Sequence, residues 1–138
     1  MDESPVGGAL ARALGPVLRD LSATCAVRAA VTVAKDFVSP GADVVMVCAP
    51  DGSGRGVSVA EHCGAAEQVA DVADQVQEWV VEELCALLRP AVWPECPAHP
   101  GTHPLAAGVE RGVAVWSCPR SGRVVAPVGG LGPAAVSP

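Results

Sequence analysis

The chain has 138 residues, of which 50% are hydrophobic, and this combination is typical of one folded domain and excludes a disordered segment. Its formal net charge is −6, which argues against binding nucleic acid or anionic lipid through basic side chains. The N-terminus lacks the apolar core of a signal peptide, and no apolar run is long enough to span a membrane. We therefore expect a cytoplasmic protein whose 6 cysteines are reduced, as buried thiols or metal ligands, and do not form disulfides.

The first predicted element is a helix. Leucine and valine recur at helical spacing over residues 10–21, and a Ser-Pro pair at residues 4–5 is a favourable helix start. A Gly-Pro pair at residues 15–16 interrupts the pattern. Because proline removes one helical hydrogen bond, we expect either a kink there or two short helices.

Three strands are predicted next. Residues 25–37 alternate between apolar and polar, residues 43–49 are apolar throughout, and residues 55–60 alternate again. Turn-forming residues at 39–41 and 50–54 separate these segments. One side of the first strand is polar and is expected to face solvent, which favours an antiparallel sheet. We therefore predict a three-stranded antiparallel meander.

The longest predicted helix covers residues 64–89. At about 100° per residue it has an apolar stripe and, opposite, an acidic stripe that is either solvated or a docking surface for a basic partner (Glu67, Asp71, Asp74, Glu78, Glu82). The acidic side turns apolar at Val81, Cys85 and Leu88, so we expect the cysteine-rich segment or a second subunit to cover that end. Glu83 falls on the apolar side, where it is either paired or partly exposed, or a functional acid with a raised pKa.

The C-terminal third holds four candidate metal ligands, which have the spacing Cys96-x2-His99-x3-His103-x14-Cys118. Closely spaced Cys and His pairs joined by a longer loop are how a chain supplies a tetrahedral zinc site, and thiolates favour zinc over magnesium or calcium. Each of these residues precedes a proline, which restricts the ligand to an extended backbone. Residues 90–104 are too rich in proline for regular structure, residues 105–112 form a link with a turn, and strands are predicted at 113–116 and 123–128.

Residues 93–128 resemble a zinc ribbon, a family in which two turns called knuckles clamp one zinc ion. Cys96-Pro-Ala-His99 is similar to the first knuckle, and Trp116-Ser-Cys118 with the following turn is similar to the second. The sequence departs from the family pattern at Ser121, which stands where the fourth thiol belongs. If His103 supplies the fourth ligand, the site is closed and structural. If it does not, an open site with water remains, as in catalytic zinc centres.

Together these patterns predict an α+β fold with one domain over residues 1–128, a Cys/His cap at 90–128 and a flexible tail at 129–138. The function that we expect is a non-enzymatic binding or adaptor protein with a structural zinc, which binds a protein partner or itself. One alternative is a small zinc-dependent hydrolase with metal on Cys96, His99 and Cys118 and with Glu83 as base. Another is a metal-free structural domain.

Overall fold

The structure, a computed structural model, describes residues 8–33, 44–60 and 62–132. Two helices and two three-stranded antiparallel sheets form a mixed α+β fold, which confirms the predicted class. In chain order the elements are α1 (Gly8–Thr24), β1 (Ala30–Val33), β2 (Val44–Cys48), β3 (Gly54–Ser58), α2 (Ala65–Ala86), β4 (Ala106–Glu110), β5 (Val113–Ser117) and β6 (Val124–Pro127). One hydrophobic core includes residues of both helices and both sheets.

Helix α1 runs without interruption through Pro16, so of the two expected outcomes the division into two helices is wrong, and the kink stays a prediction. Proline forfeits one backbone hydrogen bond, and burial of Leu14 and Val17 on either side of it holds the helix together. The Ser-Pro pair at residues 4–5 lies outside the described residues. The buried face of α1 includes one carboxylate, Asp20, beside the apolar residues.

The first sheet has the order β1-β2-β3, and its register pairs Val45 with both Val33 and Val57. Strands β2 and β3 and the turn between them agree with the prediction. Strand β1 begins later than predicted, because the N–H of Cys25 still donates to the carbonyl of Leu21 at 2.9 Å, so the chain is leaving α1 at that point. The predicted turn at 39–41 lies outside the described residues.

Helix α2 ends at Ala86, three residues before the predicted end. Leu88 adopts a left-handed backbone conformation with a φ of 56°, so a right-handed helix cannot continue through it. Its N–H donates to the carbonyl of Cys85 at 3.0 Å, and the N–H of Arg89 donates to that of Leu84 at 2.9 Å. This pair of bonds is the Schellman arrangement that ends a helix. None of the helices in the described part of the chain is long and apolar enough to cross a membrane.

The expectation that the cysteine-rich segment covers the end of α2 is wrong. Leu88 is 93% exposed, Leu87 is 57% exposed and Cys85 is exposed. The segment instead packs beside the middle of the helix, where the Gln77 side-chain amide donates to the carbonyls of Trp93 (3.1 Å) and Leu105 (2.6 Å). Coverage by a second subunit stays a prediction.

The second sheet has the order β4-β5-β6. Residues 106–110, predicted as part of a link, form strand β4, which pairs along its whole length with β5. The pattern was missed because Ala106, Ala107 and Gly108 have small side chains that give little alternation in hydrophobicity. The predicted turn after Glu110 is confirmed: Arg111 and Gly112 both have positive φ (52° and 78°), as a tight hairpin turn requires.

Candidate metal centre

The four predicted ligands meet at one point between the α2–β4 loop and the β5–β6 hairpin. The ligand atoms of Cys96, His99, His103 and Cys118 all lie within 4.8 Å of one another. Nδ1 of His99 is 3.1 Å from Nε2 of His103, 3.5 Å from Sγ of Cys96 and 3.6 Å from Sγ of Cys118. The fourth measured edge, from Sγ of Cys118 to Nε2 of His103, is 3.9 Å.

Four of the six separations are close to the edges of a tetrahedron around zinc. Bond lengths of about 2.3 Å to sulfur and about 2.05 Å to nitrogen imply N–N edges of about 3.3 Å and S–N edges of about 3.6 Å. Each of the four measured edges lies within about 0.4 Å of these values. The two sulfur atoms are buried and the two imidazoles are half-buried. The cluster could therefore hold one metal ion just below the surface.

The first three ligands come from a short closed loop. The N–H of His99 donates to the carbonyl of Cys96 at 3.1 Å, which makes a tight turn between the first two ligands. An isolated antiparallel bridge joins Glu95 and Pro104. Because Cys96 follows one partner of this bridge and His103 precedes the other, the bridge brings both ends of the loop to the same place.

The fourth ligand, Cys118, lies in the hairpin between β5 and β6. Its carbonyl accepts the N–H of Gly122 at 2.8 Å, and Gly122 has a φ of 76°, which favours glycine. Ser121, which occupies the position of a fourth ribbon thiol, donates its backbone N–H to Sγ of Cys118 at 3.5 Å. Hydrogen bonds from the hydroxyl and the backbone of Ser121 lower the pKa of the Cys118 thiol to about 6. Such bonds favour the thiolate, the form that binds metals.

His103 has its ring oriented by a backbone carbonyl. Its Nδ1 lies 3.1 Å from the carbonyl oxygen of Pro104. A carbonyl can only accept a hydrogen bond, so this contact assigns the proton to Nδ1 and leaves the lone pair of Nε2 facing the cluster. A ligand imidazole is typically fixed in this way, by donating its other N–H to a carbonyl or carboxylate.

Two tryptophans attach the cluster to the core. Trp93, three residues before Cys96, meets Trp116, two residues before Cys118, in an edge-to-face contact with ring centroids 5.6 Å apart. The indole N–H of Trp93 donates to Oγ1 of Thr24 at 2.9 Å, at the end of α1. Trp116 also contacts α1, through Asp20, so both segments that carry ligands are packed against the same helix.

Asp20 is the residue of this region that sequence reasoning missed. Its carboxylate is fully buried and accepts three N–H groups, from Trp116 (2.9 Å), Gly129 (2.6 Å) and Leu131 (3.0 Å). The available signal was an acidic residue three positions after Val17, within the apolar stripe of α1. Residues 129–131 were predicted to begin the tail; two of them bond to Asp20, and residues 133–138 lie outside the described part of the chain.

The remaining candidate residues lie apart from the cluster. Glu83 is half-buried, and its hydrogen-bond contact is with Oγ of Ser53, 3.5 Å away in the β2–β3 turn. Among the described residues, the four predicted ligands form the only group of side chains that could hold a metal ion, and Glu83 does not belong to it. The other cysteines are free thiols outside the group (Cys25, Cys48, Cys63, Cys85).

The chain matches no family model, no curated protein and no solved structure among those compared. The resemblance to a zinc ribbon therefore has no support beyond the residues that suggested it. The geometry establishes an α+β fold with a Cys2His2 cluster that could bind a metal ion.

Proposed function

We propose that this protein is a non-enzymatic binding or adaptor protein in which Cys96, His99, His103 and Cys118 hold one structural zinc ion. The observation that carries the proposal is the convergence of the four ligand atoms within 4.8 Å of one another, with four of their six separations close to tetrahedral edges. Two thiolates and two imidazoles are a ligand set that favours zinc, and they disfavour magnesium and calcium, which prefer oxygen.

A structural role fits better than a catalytic one because His103 belongs to the cluster. Four protein ligands complete a tetrahedron, so no position remains for the water that a hydrolytic zinc site needs. The base that we considered for a hydrolase, Glu83, instead contacts the β2–β3 turn through Ser53. Both residues that distinguish the two functions therefore favour a closed site.

The metal would join two segments that are separated in the sequence. Cys96, His99 and His103 lie in the loop after α2, and Cys118 lies in the β5–β6 hairpin. Zinc binding to small structural sites is worth about 10–16 kcal/mol, whereas whole domains are stable by about 5–15 kcal/mol. An ion at this point would therefore contribute a large share of the stability of the C-terminal third.

The proposal includes a location and a partner class. Thiolate ligands survive where thiols stay reduced, so we place the protein in the cytoplasm. Its function would be to bind a protein partner or a second copy of itself, with the zinc holding the C-terminal segments in position.

The test is metal analysis of the chain purified without chelator, followed by chelation. We expect one zinc per chain, and we expect its removal to lower the thermal unfolding temperature and to expose Trp93 and Trp116 to solvent, seen as a red shift of tryptophan fluorescence. Protein that is folded and carries no metal would overturn the proposal.

A further inference from the structure

The outward side of α2 changes character along its length. At about 100° per residue, the acidic residues of the earlier turns and the apolar residues of the last two turns share one side of the helix. The acidic part is exposed, and the last two turns present Cys85, which is exposed, and Val81, which is half-buried. Leu88, two residues past the helix end, is also exposed, and its N–H donates to the carbonyl of Cys85. We call this surface the α2 face (Asp71, Asp74, Glu78, Val81, Cys85, Leu88).

Leu88 is held in an unfavourable conformation at an exposed site. Its φ of 56° lies in the left-handed region, where a side chain costs free energy and glycine does not. The two bonds that close the helix, to the carbonyls of Cys85 and Leu84, fix this conformation. A leucine that is 93% exposed also gains almost nothing from burial in the folded chain. Glycine at this position would relieve the backbone strain and remove an exposed apolar side chain, so leucine is favoured only if its side chain packs against a partner.

The acidic part of the face carries uncompensated charge. Among the described residues, the only cation paired with α2 is Arg55, which contacts Glu78 at 2.9 Å and also Glu82. Asp71 and Asp74 have no such partner in that part of the chain. Partial burial, together with the charges of Glu78 and Asp71, raises the pKa of Asp74. Negative charges are thus crowded here, so a cation supplied from outside would be attracted.

We propose that the α2 face binds a basic amphipathic helix of a partner protein. The apolar side chains of that helix would pack on Leu88 and Cys85, and its lysines or arginines would face Asp71 and Asp74. The face extends over about 25 Å at 1.5 Å per residue, which suits a helix of similar length. A second copy of this chain fits less well, because it would bring two molecules of net charge −6 together at their acidic faces.

This inference rests on the proposed binding function but does not involve the metal ligands. The binding test therefore uses the full chain with its metal content measured in the same preparation. If zinc is present and no peptide binds, the docking site fails and the structural zinc stands. If the folded chain lacks zinc and still binds, the structural zinc fails and the docking site stands.

The probe is a fluorescently labelled helical peptide of leucine and lysine, with its leucines spaced to lie on one helix face. Its binding to the full chain is measured by fluorescence anisotropy. One control replaces every lysine by glutamate, and another has the same composition in shuffled order. We expect the amphipathic basic peptide to bind at least about tenfold more tightly than either control, and more weakly as salt increases. Equal affinity for the basic and shuffled peptides would overturn the proposal.

The variant Leu88→Gly separates docking from folding. We expect it to weaken peptide binding by about tenfold, and at the same time to raise the urea midpoint of unfolding, because glycine relieves the left-handed strain. If Leu88 had a role in the fold alone, the substitution would instead lower the urea midpoint. Val124→Ala, at another exposed apolar residue that lies outside the α2 face, is the control and leaves the affinity unchanged. Unchanged binding by Leu88→Gly contradicts the proposal, as does a wild-type dimer that Leu88→Gly dissociates.

Discussion

The indole N–H of Trp116 donates a hydrogen bond of 2.9 Å to the carboxylate of Asp20, and so joins two residues that are 96 positions apart. Trp116 leads into the hairpin that carries Cys118, and Asp20 lies in α1. The same carboxylate accepts the backbone N–H groups of Gly129 and Leu131. One fully buried acid therefore connects the first helix, the candidate metal hairpin and the segment after β6.

Replacing Asp20 by asparagine tests this connection. An amide has one acceptor oxygen, and its NH2 group would face one of the three N–H donors, which would then be buried without an acceptor. We expect Asp20→Asn to lower the free energy of unfolding by about 2–3 kcal/mol, measured by urea denaturation. Glu110→Gln, at an exposed site, is the control and changes it by less than about 0.5 kcal/mol. Equal effects of the two variants would show that the Asp20 bonds contribute little.

A pair of histidine variants tests whether the site is closed. His103→Ala removes one of four ligands, so we expect zinc affinity to fall by at least about 100-fold and the thermal unfolding temperature to fall with it. His62→Ala is the matched control, because His62 is exposed and lies outside the cluster. Zinc affinity is measured by competition with a chromogenic chelator. Retained affinity in His103→Ala contradicts a closed Cys2His2 site.

Local patterns in the sequence predicted much of this molecule. Helical periodicity located both helices, and the ligand spacing selected the four residues of the cluster, because three of them lie within one short loop. Strand β4 was missed because an edge strand of alanine and glycine has almost no hydrophobic alternation.

Long-range contacts set the limit of prediction. Asp20 looks unfavourable in an apolar stripe until Trp116, Gly129 and Leu131 supply their N–H groups, and nothing near Asp20 in the sequence indicates those partners. Whether Glu83 is buried or exposed likewise depends on the β2–β3 turn, which passes beside α2. Periodicity assigns a residue to a side of a helix, whereas tertiary contacts decide what lies against that side.

Acidification tests the role of Ser121. The pKa of Cys118 is lowered to about 6 from an ordinary value of 9.0, so the thiolate persists above about pH 6 and is protonated as the pH falls through that value. Protonation competes with metal binding. We expect the wild-type chain to lose zinc at lower pH than Ser121→Ala, which lacks the hydroxyl bond that favours the thiolate. Zinc retained after desalting at each pH gives the two midpoints, and identical midpoints would show that the hydroxyl has no such effect.

The variant Glu83→Gln tests the hydrolase alternative. Glu83 is half-buried, and its contact with Ser53 is long at 3.5 Å. We expect the variant to keep its zinc and to change the free energy of unfolding by less than about 0.5 kcal/mol. Metal content, urea denaturation and hydrolysis of a chromogenic ester are the three measurements. Zinc-dependent ester hydrolysis that Glu83→Gln abolishes would instead support the hydrolase, in which Glu83 is the base and not a ligand.

The most direct test of the Cys2His2 centre is zinc-edge X-ray absorption of the chain purified without chelator. We predict two sulfur neighbours at about 2.3 Å and two imidazole nitrogens at about 2.05 Å, with no further ligand. A shell with one nitrogen and an oxygen would contradict the closed site, and a folded chain without a zinc edge would contradict the metal centre itself.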